Sequence, residues 1–156
     1  MIAAFTSTVS AAIIWLSPAV TQERADAIAA DIVHVACPEG VTRACRRDVA
    51  ALLAVAFHES HFREAVDEGT IRGDGGRSWG LWQLQCGRSP RCARYLDRRV
   101  GAEYALRLIH RSENACRSLG PDAALRVYAS GSCKRGAKAS AVRVATWAKI
   151  ETKLDQ

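Results

Sequence analysis

"DVAALLAVAFHESHFREA", residues 48–65, reads as a helix with one residue out of character. At about 100° per residue, Leu52, Val55 and Ala56 share a face, and Phe62 sits at its edge, about 80° from Leu52. Glu59, seven positions after Leu52, falls only about 20° from it. The pattern therefore predicts a helix capped by Asp48 and running to about residue 65, with a carboxylate pointing where the apolar residues point. A carboxylate so placed loses hydration, which favours its protonated form and suits it to donate a proton. The plainer alternative is that the apolar stripe has ended by this turn and Glu59 forms an exposed ion pair with Arg63, four residues on.

The histidines on either side invite a comparison with HEXXH, in which two imidazoles one turn apart hold zinc around a glutamate base. Here His58 and His61 are three apart instead of four, and His61 lies about 180° from Leu52. No third ligand stands nearby. The sequence thus gives no metal site and calls for no cofactor.

Outward from this helix the chain reads as mainly α. Ser17 followed by Pro18 has the form of an N-cap with proline at the first helical position, and Ile28, Ile32 and Val35 recur at helical spacing, which predicts a helix over 18–36 ending at Pro38 and Gly40. Residues 66–80, "VDEGTIRGDGGRSWG", are too rich in Gly and Asp to hold a helix and predict a loop or small hairpin. Helical spacing then resumes at Leu96, Val100, Tyr104 and Leu108. Pro121 opens a short helix to about 129, and "AKASAVRVATWAKIETKL" closes the chain as another.

The length of 156 residues suits one domain with a real core. Its 49% hydrophobic and 24% charged residues exclude disordered and fibrous classes. Twenty-two basic against sixteen acidic side chains give a net charge of +6, which favours polyanionic partners or simply a soluble surface. The basic residues are scattered and no recognition motif accompanies them, so nucleic acid is not an expected partner. Six cysteines form three neighbouring couples, Cys37 with Cys45, Cys86 with Cys92 and Cys116 with Cys133, none with the short spacing of a structural zinc site. Local disulfides in an oxidising compartment are the expectation, with buried thiols as the alternative. Residues 1–22 carry no charged side chain, yet lack the basic start and long apolar run of a leader. Residues 1–16 are therefore set apart as a segment of open role, a candidate signal, ahead of a domain over 17–156. Thr6, Ser7, Thr8, Ser10 and Pro18 argue against a spanning helix and so against membrane insertion.

Three short motifs follow one another in this chain: Glu59 with Ser60, then "GDGGRSWGLWQLQ" with Gly73, Asp74, Gly76, Ser78, Trp79, Gly80, Leu81, Trp82 and Gln83, then "VYASGSC" with Tyr128 and Gly131. Together, over residues 47–133, they resemble the lysozyme-like superfamily of lytic transglycosylases and goose-type lysozymes. That superfamily has a helix-borne Glu-Ser, a Gly-Leu-x-Gln turn and a Tyr-Asn-Ala-Gly segment. The resemblance implies a mainly α (α+β) lysozyme-like single domain with a small central loop or hairpin insertion.

It also implies a monomeric enzyme acting on peptidoglycan glycan strands, secreted, periplasmic or virus-associated. Glu59 would protonate the β-1,4 glycosidic oxygen leaving N-acetylmuramic acid, and Asp74 would be the second carboxylate. Ser60 would hold the helix end or the substrate. Ser78, Gly80 and Gln83 would lie along the glycan, Trp79 or Trp82 would offer an aromatic wall or simply pack in the core, and Tyr128 would bond near Glu59. Two positions depart from the pattern. Gln85 stands where the goose-type branch often has another aspartate, and Ala129 replaces the usual Asn. Three outcomes stay open: hydrolysis, non-hydrolytic transglycosylation to a 1,6-anhydro product, or a basic wall-binding module without activity.

Overall fold

The computed structural model describes all of residues 1–156. Helices α1 (Ile2–Leu16), α2 (Gln22–Ala36), α3 (Arg43–Ser60) and the single turn α4 (Glu64–Asp67) lead into a two-stranded antiparallel hairpin, β1 (Ser78–Trp79) and β2 (Leu84–Gln85). A 3-10 segment, Pro90–Leu96, precedes α5 (Arg98–Cys116), and α6 (Arg126–Ser130) and α7 (Ala137–Leu154) complete the chain. Mainly helical architecture with a small central hairpin is therefore what the chain adopts.

Helix α3 is the axis of the fold. All eight residues from Val49 to Ala56 are fully buried, so the helix is enclosed on every side along this stretch instead of showing one apolar stripe. The composition explains it: four alanines let α1, α2, α5 and α7 approach the backbone, while Leu52, Leu53 and Val55 fill the gaps. Each fully buried Leu of this set contributes roughly 1.5–3 kcal/mol. Enclosure ends at the last turn, where Phe57, His58 and Glu59 are only partly covered.

Several expected boundaries move. The N-cap of α3 is Thr42, whose hydroxyl accepts from Cys45 N–H. Asp48 lies inside the helix and its carboxylate pairs with His110 Nε2 at 2.9 Å. The helix stops at Ser60, not 65, because His61 and Phe62 both turn into the left-handed region at φ 52° and 55°. Ser17 does not open α2. It closes α1, and Thr21 caps α2 by accepting from Arg24 N–H, so Pro18 belongs to the turn between two helices, a place proline favours as much as a helix start. Residues 2–16 are helical and give Phe5, Val9, Ala12 and Ile13 to the common core.

In α5 the buried positions are Gly101, Ala102, Ala105, Ile109, Ser112 and Cys116, offset from the expected stripe of Val100, Tyr104 and Leu108. Small residues face inward there because the Trp82 ring already fills the space, packed within 3.3 Å of where a Cβ on Gly101 would stand. The expected helix from Pro121 begins as a 3-10 turn and becomes α6 only at Arg126, whereas α7 runs over the residues expected.

All six cysteines form the local disulfides Cys37–Cys45, Cys86–Cys92 and Cys116–Cys133. Each fastens a place where backbone direction changes. The first joins the end of α2 to the start of α3, the second ties the hairpin to the 3-10 segment, and the third holds the stretch after α6 against the end of α5. No helix is long and apolar enough to cross a membrane.

Candidate functional site

A groove of about 630 Å³ runs between the end of α3, the hairpin, α5, α6 and α7. Its wall holds Glu59, Asp74, Ser78, Gln83 and Tyr128, five of the side chains singled out in the sequence, together with Gln85, Tyr104, Leu108 and Arg143. A second hollow, around His110 and Glu113, lies away from all of them.

Glu59 does not meet Arg63, whose Nε donates to Ser60 O instead. Its partner is Arg143 of α7, whose Nε and Nη2 donate to Glu59 Oε1 at 3.2 and 2.7 Å. The ion pair is thus with Arg143 and not with Arg63. Side-chain exposure is 20% for Glu59 and 16% for Arg143, so the pair is partly sheltered but open to the groove. Both hydrogen bonds end on one oxygen, and Oε2 has no protein partner. Arg143 lies 84 residues from Glu59 in sequence, and only the packing of α7 on α3 brings them together.

Asp74 differs in every respect. It is exposed, sits at φ 51°, and its Oδ2 accepts from Ser78 Oγ at 2.8 Å and from Gln85 Nε2 at 2.7 Å. These two donors, Gln85 first, hold the carboxyl below its ordinary range. The departure at position 85 therefore has a physical role: an amide solvates Asp74 where a second aspartate would repel it.

The turn between the strands is fixed by Gln83, at φ 46°. Its Oε1 accepts from Gly73 N–H at 2.8 Å and its Nε2 donates to Gly80 O at 3.0 Å, so most of its amide is spent inside the protein. Gly80 adopts φ 69°, and a Cβ there would stand 2.3 Å from Tyr95 O, so only glycine fits. Tyr128 donates from its hydroxyl to Trp82 O at 2.7 Å, not to Glu59. Burial, with the nearby Glu59 charge, pushes the phenol well above its ordinary value, so it stays neutral.

Ser60, Trp79, Gly80 and Trp82 lie behind the groove wall. Ser60 is buried, donating to Ala56 O and accepting from Phe62 N–H, which settles it as a helix-end residue. Trp82 is 1% exposed with its Nε1 donating to Leu52 O, and Trp79 is buried with Arg72 over its ring. Neither indole offers a wall to a sugar; both pack in the core. His58 Nε2 is 2.8 Å from Thr146 Oγ1, and His61 is exposed beside Phe57.

Of the four non-glycine residues with positive φ, Asp74 and Gln83 line the groove, and His61 and Phe62 follow the end of α3. Such conformations cost of order 1–3 kcal/mol each and persist where surrounding structure enforces them. Here Ser17 Oγ donates to His61 O and Arg24 Nε to Phe62 O. The chain matches no known family pattern, no characterised protein and no solved structure.

Proposed function

We propose that the protein is a peptidoglycan-cleaving glycosidase, a muramidase acting on the β-1,4 bond between N-acetylmuramic acid and N-acetylglucosamine. The observation that carries the reading is that one groove holds two carboxylates in opposite surroundings. Glu59 is half-sheltered at a helix end with one free oxygen. Asp74 is exposed and kept ionised by neutral donors. Two carboxyl groups facing one groove are what acid-base cleavage of a glycoside needs.

In this mechanism Arg143 fixes the rotation of the Glu59 carboxyl through Oε1, and a proton carried on Oε2 passes to the glycosidic oxygen as its bond to the anomeric carbon breaks. Water attacks that carbon, and Asp74 takes the proton the water loses. The disulfides and the absence of a spanning helix suit action in an oxidising space outside the cytoplasm, whether secreted, periplasmic or virus-delivered.

Mass spectrometry of the soluble products from purified peptidoglycan tests the reading. Reducing muropeptides from the wild type and none from Glu59→Gln are expected. Products lighter by one water would make the enzyme a transglycosylase, with Glu59 returning as base and Asp74 dispensable. Saturable binding without soluble product would replace the enzyme with a wall-binding module.

A further inference from the structure

The groove has three charged side chains, and two of them are negative: Glu59, Asp74 and Arg143. A guanidinium offers five N–H donors. Nε and one N–H of Nη2 go to Glu59 Oε1, and Nη1 donates to Ala139 O at 3.0 Å. One N–H on each Nη is left without a protein acceptor. These two free donors on one guanidinium can both serve a substrate carboxylate. Arg143 is the one cationic side chain in the groove, so it is where an anionic substituent finds an opposite charge.

Resting on the peptidoglycan reading, we propose that Arg143 is the specificity residue of the groove, bridging Glu59 to a carboxylate on the muramyl residue of the substrate. In the proposed glycan only the muramyl units carry carboxylates. Where the stem peptide is absent the group is the lactyl carboxylate, and where it is present the group belongs to the peptide. N-acetylglucosamine has none. The same guanidinium then orients the acid and selects the sugar beside it, so an uncharged β-1,4 polymer such as chitin enters the groove without its anchor.

The test is binding, read by NMR titration that includes the Arg143 side-chain N–H signals. Three uncleaved disaccharides of N-acetylglucosamine and N-acetylmuramic acid are compared: one with the free lactyl carboxylate, one with that group as a primary amide, and one with a stem peptide. The wild type should bind a carboxylate form about tenfold more tightly than the amide, as expected for hydrogen bonds to a charged group. Preference for the free lactyl form names that carboxylate, and preference for the stem-bearing form names the peptide. Arg143→Gln should remove the preference, and Arg143→Lys, which keeps the charge without the guanidinium, should retain only part of it. The Lys variant also guards the conclusion should the Gln variant fold poorly. Equal binding of acid and amide by the wild type, or a preference that survives in both variants, overturns the proposal. Cleavage is scored separately. A wild type that cuts no glycan yet shows the Arg143-dependent preference loses the enzyme reading and keeps this site; cleavage without the preference does the reverse.

Discussion

Glu59 and Asp67 each reach an arginine far away in sequence, and they do different things with it. Asp67 is 4% exposed and accepts at 2.8 Å from both Arg24 and Arg98 on a single oxygen, knitting α2 and α5 to the turn after α3. Glu59 meets one arginine, keeps an oxygen free and borders a groove that a second carboxylate shares. An ion pair alone therefore does not mark a site. Asp67 also leaves one oxygen without a partner, so what distinguishes Glu59 is its exposure, 20% against 4%, on the side of the groove.

Breaking that contrast should give the largest effect at Glu59 itself. Glu59→Gln keeps the shape and a hydrogen-bond acceptor for Arg143 but holds no transferable proton, so lysis should fall by about 10²- to 10⁴-fold. Thermal unfolding should hardly change, because the partly exposed pair contributes little to stability. Turbidity loss of a cell-wall suspension and a melting curve, run side by side, check both halves. Undiminished lysis would remove Glu59 from the mechanism.

Asp67→Asn should show the reverse pattern. It leaves Arg24 and Arg98 facing each other without the charge that joins them, and loss of one partner from a buried ion pair costs about 3–5 kcal/mol. Urea unfolding should show a lower midpoint, while the folded fraction should keep its activity per molecule. Activity lost with stability intact would mean that Asp67 belongs to the chemistry and that the contrast is misdrawn.

A smaller loss is expected at Gly80→Ala, which puts a Cβ 2.3 Å from Tyr95 O at a φ of 69°. Strain of this kind costs about 2–3 kcal/mol. Because Gly80 anchors the Gln83 amide, and Gln83 in turn holds Gly73 beside Asp74, the variant should also lose lytic activity beyond its loss of stability. Measuring kcat and unfolding on the same preparation separates the two.

The parts of this molecule legible in the sequence are those set by local rules. The pattern of α7, a Gly- and Asp-rich break between helices, and the pairing of each cysteine with its neighbour all follow from short spacings, although the hairpin itself falls at residues 78–85, mostly beyond the expected 66–80. The Glu59 helix was legible as a helix, but its wheel did not show that α3 is covered on all sides, because Ala50, Ala51 and Ala54 serve equally for an exposed face or for close packing. Ser17 and Pro18 satisfied a helix start as well as they satisfy a turn. Arg143 could not be found at all. It stands in an unremarkable "AVRVAT" stretch, and only the meeting of α3 with α7 gives it a partner. The two tryptophans show the converse limit: an aromatic beside a motif reads the same whether its ring faces a sugar or Leu52.

The smallest effect sharpens the role of Arg143, which faces two titratable groups on α3 at once. Burial first, then the positive charge of Arg143, then that of His61, hold His58 below its ordinary value of 6.5. Thr146 Oγ1 donates to Val142 O, so it accepts from His58 Nε2, and the neutral ring is satisfied without a second proton. Between the folded value and about 6.5 the unfolded chain binds more protons than the native one, so stability rises with pH across that window. The contribution is complete above about 6.5 and is lost as the pH falls through the folded value. The ring is partly exposed, and solvent screening keeps the effect well under about 1 kcal/mol. Arg143→Gln removes one of the two charges opposing protonation, so the His58 ring signals should titrate at higher pH in the variant than in the wild type, though still below the ordinary value because burial remains. An unchanged midpoint would mean that the guanidinium charge is already neutralised by Glu59 as seen from His58. The ion pair would then act on the groove as a single neutral unit, and its hold on a substrate carboxylate would rest on hydrogen-bond geometry more than on net charge.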